Sequence, residues 1–197
     1  MDPVHSPWPR PQRLFQLVPS VLTYQPEVVP GILQTENYIR AMNATAHPRV
    51  TDEEVDRQVK VRLERQAILD QPDTTLYFIL SESALRRNVG DAEIMHEQLI
   101  PLAEAAERPN VELQVLPFDA QTFGAAWLAF TILRFDHNAA SDVVYLEYWT
   151  DADYLDRPDD VQAYTTLWNR LQAAAMGQVE SRHLILDIAD EFRQRQG

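Results

Sequence analysis

Cysteine is absent from the 197-residue chain, which removes disulfides, a catalytic thiolate and thiolate metal sites in one step. Glycine is scarce. The five that occur form no Gly-rich loop behind a strand, so neither a Rossmann turn nor a P-loop is supported. Lysine occurs once, at Lys60, in a charged amphipathic stretch that reads as a solvated helix surface and not as a Schiff-base site. No apolar run approaches the roughly twenty residues that a membrane-spanning helix needs. Residues 1–11 are proline-rich without an apolar stretch, unlike a secretory signal, and a cytoplasmic protein is expected.

Positive charge is short as well. Seventeen Lys and Arg stand against 30 Asp and Glu, a net charge of −13, and the acid excess runs through every segment after residue 50. Binding nucleic acid by its phosphates needs a basic stripe, because released counterions supply much of the affinity, and no such stripe exists. The five histidines, His5, His47, His96, His137 and His183, form no pair at helical i, i+4 spacing. No metal and no cofactor are expected. Asp151, Asp153 and Asp156, with Asp159 and Asp160, could seat a hard cation, but they lack the glycine and ligand spacing of an EF-hand loop. A solvated helix start, with Pro158 in the first turn, is the preferred reading.

What is present suffices for one core, with hydrophobic residues at 45%. Seven of the thirteen prolines fall in residues 1–30, which suggests a proline-rich N-terminal arm over residues 1–23 and a single domain over residues 24–197. Thr35 can cap a short helix from Glu36 to Asn43, and Thr51-Asp52-Glu53-Glu54 is a capping box opening a helix to about Asp70. Val55, Val59, Leu63 and Ala67 form the apolar ridge of that second helix. Further helices are expected after Glu82, after Asp91 with Pro101 inside, and over two stretches before and after Gly177. Strands are expected at Thr75 to Leu80, Val111 to Leu116, Trp127 to Phe135 and Asp142 to Trp149, the last two forming a hairpin. The expectation is an α+β fold: an antiparallel sheet of about four strands flanked by helices, with the arm at its N-terminus.

Six blocks in order carry a family resemblance. They are Val29-Pro30-Gly31-Ile32-Leu33-Gln34-Thr35-Glu36-Asn37-Tyr38, Arg62-Leu63-Glu64-Arg65-Gln66, Glu82-Ser83-Ala84-Leu85-Arg86-Arg87, Gln98-Leu99, Pro109 to Phe118, and Val143-Val144-Tyr145-Leu146-Glu147. From Tyr24 to Ile188 the chain resembles the domain of unknown function behind the helix-turn-helix head of WhiJ-type, antitoxin-like transcriptional regulators of bacteria. The resemblance implies a stand-alone version of that C-terminal domain, since the head and its linking helix are replaced here by the arm. It departs at residues 119–127, where the family often carries glycines and a histidine. A domain without its reader is expected not to bind DNA itself.

Two carboxylates stand out by context. Glu82 follows a buried-looking strand, and Glu147 interrupts the apolar run before it. By alternation Val143, Tyr145, Glu147 and Trp149 share a face, with Trp127 on the neighbouring strand, as in an aromatic pocket wall holding one acceptor or base. The ordinary alternative is a structural ion pair of Glu147 with Arg86 or Arg134. Gln34 and Tyr38, beside the Pro30-Gly31 turn, either line a cleft or simply anchor the following helix. The expected ligand-binding set is thus Gln34, Tyr38, Arg86, Trp127, Tyr145 and Trp149, with Glu82 and Glu147 catalytic if the protein is an enzyme. A regulator-like binding domain for a small molecule or a protein partner, a second copy of the chain included, is the leading reading. A cofactor-independent cyclase or isomerase of secondary metabolism, acting on an apolar metabolite, is the alternative.

Overall fold

The computed structural model of the chain describes residues 18–46, 50–121, 127–136, 141–148 and 151–195. Among these residues six strands are present: β1 (Ser20–Gln25), β2 (Thr75–Ser81), β3 (Val111–Leu116), β4 (Phe130–Arg134), β5 (Val143–Glu147) and β6 (Ala152–Leu155). The α-helices are α1 (Glu36–Ala46), α2 (Asp52–Arg65), α3 (Glu82–Arg86), α4 (Ala92–Ala105), α5 (Pro158–Ala174) and α6 (Gln178–Gln194). Short 3-10 turns occupy Gly31–Leu33 and Gln66–Asp70.

The strands make one sheet in the order β3-β2-β1-β4-β5-β6. β1, β2 and β3 run parallel, whereas β4, β5 and β6 continue from β1 as an antiparallel meander. The α+β class stands, but the four-stranded antiparallel sheet does not: the sheet is mixed and has six strands. Two strands were overlooked. Pro19 and Pro26 bracket β1, and a proline just outside a strand ends it without excluding it. Four of the six β1 residues are buried, the signature of a central strand covered on both faces. Residues 18–23, assigned to the arm, therefore begin the domain, while residues 1–17 lie outside the described residues. The other, β6, sits in the aspartate-rich stretch after Trp149, and as an edge strand it needs no apolar alternation. The parallel half follows from the connections, because parallel neighbours need a crossover and helices α1 to α4 supply two.

One face of the sheet packs Leu76, Phe78, Leu80, Leu113 and Val115 against α4 and α6, through Met95, Leu99, Ile185 and Phe192. The opposite face packs Leu22, Tyr24, Ile79, Ile132 and Leu146 under Trp168 and Leu171 of α5. The edge of β3 is closed by the turn between α5 and α6: Met176 N donates to Val115 O, and Val115 N donates to Ser181 Oγ. That satisfies an edge that could otherwise pair with another chain.

The capping signals read correctly. Tyr38 N donates to Thr35 Oγ1, Glu54 N to Thr51 Oγ1 and Ile94 N to Asp91 Oδ1. The apolar ridge expected of α2 is another matter, since only Val59 is buried while Leu63 and Ala67 are exposed. Helix α2 rests mainly on α1 and the two 3-10 turns. It stops at Arg65, and the last turn of the expected helix tightens into 3-10 geometry, where Ile68 and Leu69 reach the core.

Candidate functional site

Opposed residues of neighbouring strands share a face. The register therefore places Phe78, Thr23, Thr131, Tyr145 and Tyr154 in one row across the sheet, on the same side as α4 and α6. Helices α4 and α6 cover the β2–β3 end of that side. Over β1, β4 and β5 a cavity of about 470 Å³ opens instead, within the size range of small-molecule sites.

Its floor is Val21, Thr23, Phe78, Thr131 and Tyr145, with Gln25 and Glu147 towards one end. Residues 28–32, Gln34 and Met42 make one wall, and Arg62, Arg65 and Ile68 come from α2 and the turn after it. Thr23 and Thr131 hydroxyls are bonded to each other at 3.2 Å. Burial, and next the Glu147 carboxylate, push the Tyr145 phenol far above its ordinary range, and the Arg65 guanidinium opposes them. Tyr145 therefore stays a protonated donor over the physiological range.

The Gln34 side chain is the brace of the wall. Its Nε2 donates to Val29 O at 2.7 Å, its Oε1 accepts from Arg62 Nη1 at 2.5 Å, and its backbone carbonyl accepts from Gln66 Nε2 at 2.6 Å. Tyr38 is fully buried, and its hydroxyl accepts from Val29 N at 3.3 Å. Both polar groups of Val29 are thus held by side chains of the same motif. Buried Gln98 adds two more bonds, accepting from Thr35 N and donating to Leu33 O. A turn with no strand partners needs such substitutes for its backbone groups. Tyr38 is an anchor of this turn and does not line the cavity; Gln34 does both.

The remaining expected site residues separate. Tyr145 and Glu147 line the cavity with Gln34. Glu82 and Arg86 do not: Arg86 Nε donates to Glu82 Oε1 at 2.6 Å and its Nη1 to Glu191 Oε2 at 2.7 Å, while Glu82 Oε2 accepts from Phe118 N at 3.0 Å. The Glu82 hydrogen bond is the main reason the Arg86 guanidinium is held above its ordinary value. This ion pair ties α3 to α6 and to the end of β3. It occupies Arg86, which was considered as a partner for Glu147. Trp127 lies before β4 instead of within it and is 73% exposed, away from the cavity. Trp149 lies outside the described residues. Two aspartates of the possible cation seat have local partners: Ala152 N donates to Asp151 Oδ1, and Asp160 pairs with Arg157, which holds its carboxyl below the usual range.

Several cavity residues are absent from the expected site, Thr23, Thr131, Arg62 and Arg65 among them. Thr23 lies in β1, which is not among the expected strands, and Thr131 lies inside the expected strand Trp127 to Phe135 with no feature that singles it out. Arg62 and Arg65 were noticed as a family block, but their i, i+3 spacing, which sets both on one side of a helix, was the signal that they act together.

Among the described residues no helix is long and apolar enough to cross a membrane. No curated protein and no solved structure matches the chain. A family model does match, over residues 17–187, opening just before β1 and closing inside α6. The chain belongs to the family described as a domain of unknown function (DUF5753).

Proposed function

We propose that this chain is a non-catalytic, regulator-like binding domain that takes a small molecule into the cavity over β1, β4 and β5 and acts in the cytoplasm. The observation that carries the reading is the composition of the cavity. Val21, Val29, Ile68 and Phe78 supply apolar surface, and Thr23, Thr131, Tyr145, Arg62, Arg65 and Glu147 are interspersed with them. Apolar surface combined with convergent polar groups is a character that this cavity shares with ligand sites. A floor that was simply unfinished core would not carry a threonine pair and a tyrosine on the row that elsewhere carries Leu113 and Phe78.

The WhiJ-type resemblance supports a sensing role, in which occupancy of the cavity alters how the braced turn at residues 29–35 presents itself to a partner. Direct contact with nucleic acid is disfavoured by the acid excess that runs through the chain after residue 50. The enzymatic alternative keeps Glu147 but loses Glu82, whose oxygens are committed to Arg86 and Phe118 N. Among the described residues that line the cavity, no second carboxylate joins Glu147.

The test is a thermal-shift screen of small apolar and amphipathic metabolites, repeated on Val28→Trp, in which an indole enters the cavity from its half-buried wall. A ligand at a hundred times its Kd stabilises by about 2.7 kcal/mol, enough for a clear rise in Tm. Hits on the wild type that vanish in Val28→Trp are the expected result. Hits that persist unchanged in the variant would remove the cavity as the site.

A further inference from the structure

One pair of side chains on the cavity floor breaks the pattern of its face. Along β1 and β4 the opposed pairs on this side are Val21 with Leu133 and then Thr23 with Thr131. The first pair is apolar and belongs to the core. The second is buried too, each threonine 7% exposed, and it stands in the row between Phe78 and Tyr145. Opposed side chains in such a row are about 5 Å apart, so one small ring system reaches across the pair.

Stability does not call for hydroxyls at this place. Replacing both partners of a buried hydrogen bond by apolar groups of the same shape is close to neutral, and valine has that shape. What the threonines add is a hydrogen. Their hydroxyls are bonded to each other at 3.2 Å, and either can be the donor. Each carries one hydrogen, so the bond uses one and leaves one. Among the described residues neither hydroxyl has a further partner. Both threonines line the cavity, which opens that hydrogen to its contents. Tyr145, opposite Thr131, also lines it and stays protonated, so a second donor stands beside the first. Around them the buried side chains of Val21, Val29, Ile68 and Phe78 supply apolar surface. A solute that displaces solvent from this spot keeps the hydrogen bond only if it brings an acceptor.

We infer that the cavity binds a ligand whose apolar skeleton carries a carbonyl acceptor, a ketone, ester or lactone, and that the Thr23–Thr131 pair donates to its oxygen. This rests on the binding reading above and names its ligand class. It draws on none of the charged side chains of the lining.

Three probes of one skeleton separate the acceptor from the apolar body: 1-tetralone, tetralin and 1-aminotetralin. Each is titrated by calorimetry into wild type and into the double variant Thr23→Val/Thr131→Val. In the variant 1-tetralone should weaken about five- to tenfold, the loss of one buried hydrogen bond, while tetralin binds unchanged or slightly tighter. The protonated amine, which brings donors and no acceptor, should not weaken. Thr131→Ser keeps the hydroxyl and drops only a methyl group, so it should retain the tetralone affinity. A Ser variant as weak for tetralone as the double Val variant would make packing, not donation, the determinant and overturn the proposal. Equal changes for tetralone and tetralin, or a loss confined to the amine, would overturn the acceptor class and leave the cavity reading standing. If none of the three binds the wild type, the binding reading falls with it.

Discussion

The same face of the same sheet is finished in two different ways. Over β3 and most of β2 it is closed, with Leu76, Leu80, Leu113 and Val115 packed under α4 and α6 and Phe78 at the border. On the next three strands the same row reads Thr23, Thr131 and Tyr145 and faces a cavity. The division follows the strand direction: the parallel half carries its crossover helices on this face, and the antiparallel meander has no crossover to cover it. The helix that does approach the open half, α2, buries one residue in fourteen. Rigid scaffold and adaptable site are thus neighbours on one sheet, which is where binding residues are most accurately held.

The largest effect expected from this contrast comes from truncating both halves at the same level. Leu113→Ala removes a fully packed side chain and should cost about 2–5 kcal/mol of unfolding free energy, read from urea denaturation. Thr131→Ala, three strands away on that row, loses one hydroxyl bond beside open space and should cost about 1 kcal/mol. Losses of equal size would mean that the open half is packed like the core.

The opposite face offers a contrast of its own, because α5 keeps it dry across both halves. Tyr24 lies there against Phe130, ring centroids 5.8 Å apart, and burial, then Glu27, raises its phenol to about 12. The folded state holds this proton more tightly than the unfolded chain, whose value is near 10. Its contribution is therefore complete below pH 10 and is lost as pH rises from 10 through 12, amounting to about 2–3 kcal/mol. Urea denaturation between those pH values, followed together with tyrosinate absorbance, checks it. A Tyr24 that ionises at its ordinary value without loss of stability would show that this face is wet.

Legibility in the sequence followed the strength of local signals. The caps at Thr35, Thr51 and Asp91 and the alternation of β3 were readable because each is fixed by residues a few positions apart. The face shared by Val143, Tyr145 and Glu147 was readable for the same reason, and two of those three line the cavity. Strand order was not, since the parallel pairing of β1 with β2 joins residues more than fifty positions apart and leaves no local trace. Proline flanks hid β1, and with it went Thr23. Trp127 misled because a large aromatic next to a strand usually enters the core, whereas this one stays outside. Arg86 was paired with the wrong carboxylate, because Glu82 at i, i−4 and Glu191 on α6 compete for it more closely.

A smaller effect tests that ion pair. Glu82→Gln removes the charge that holds Arg86 but keeps an acceptor for Phe118 N, so the loss should be about 1 kcal/mol. Part of the Arg86 bond survives through Glu191. The change should appear as a lowered Tm with ligand affinity intact, because neither residue lines the cavity. A loss of affinity equal to that of a cavity variant would instead join α3 to the site.

The smallest effect on stability belongs to Glu147→Gln, and its smallness is the point. Its side chain is exposed at the end of β5, so replacing it should move the unfolding free energy by no more than about 0.5 kcal/mol. What it does influence is local: its charge raises the Tyr145 and Tyr154 phenols, whose rings lie 5.2 Å apart. Removing it should lower both phenols, which a tyrosinate titration of wild type and variant resolves as ionisation at lower pH. Two carboxylates that look alike in sequence thus divide between scaffold and cavity, Glu82 reporting in Tm and Glu147 in tyrosine titration and ligand affinity. If Glu147→Gln lowered Tm as much as Glu82→Gln and left the tyrosines untouched, Glu147 would belong to the scaffold too, and the cavity's polar side would rest on Arg62, Arg65 and the threonine pair alone.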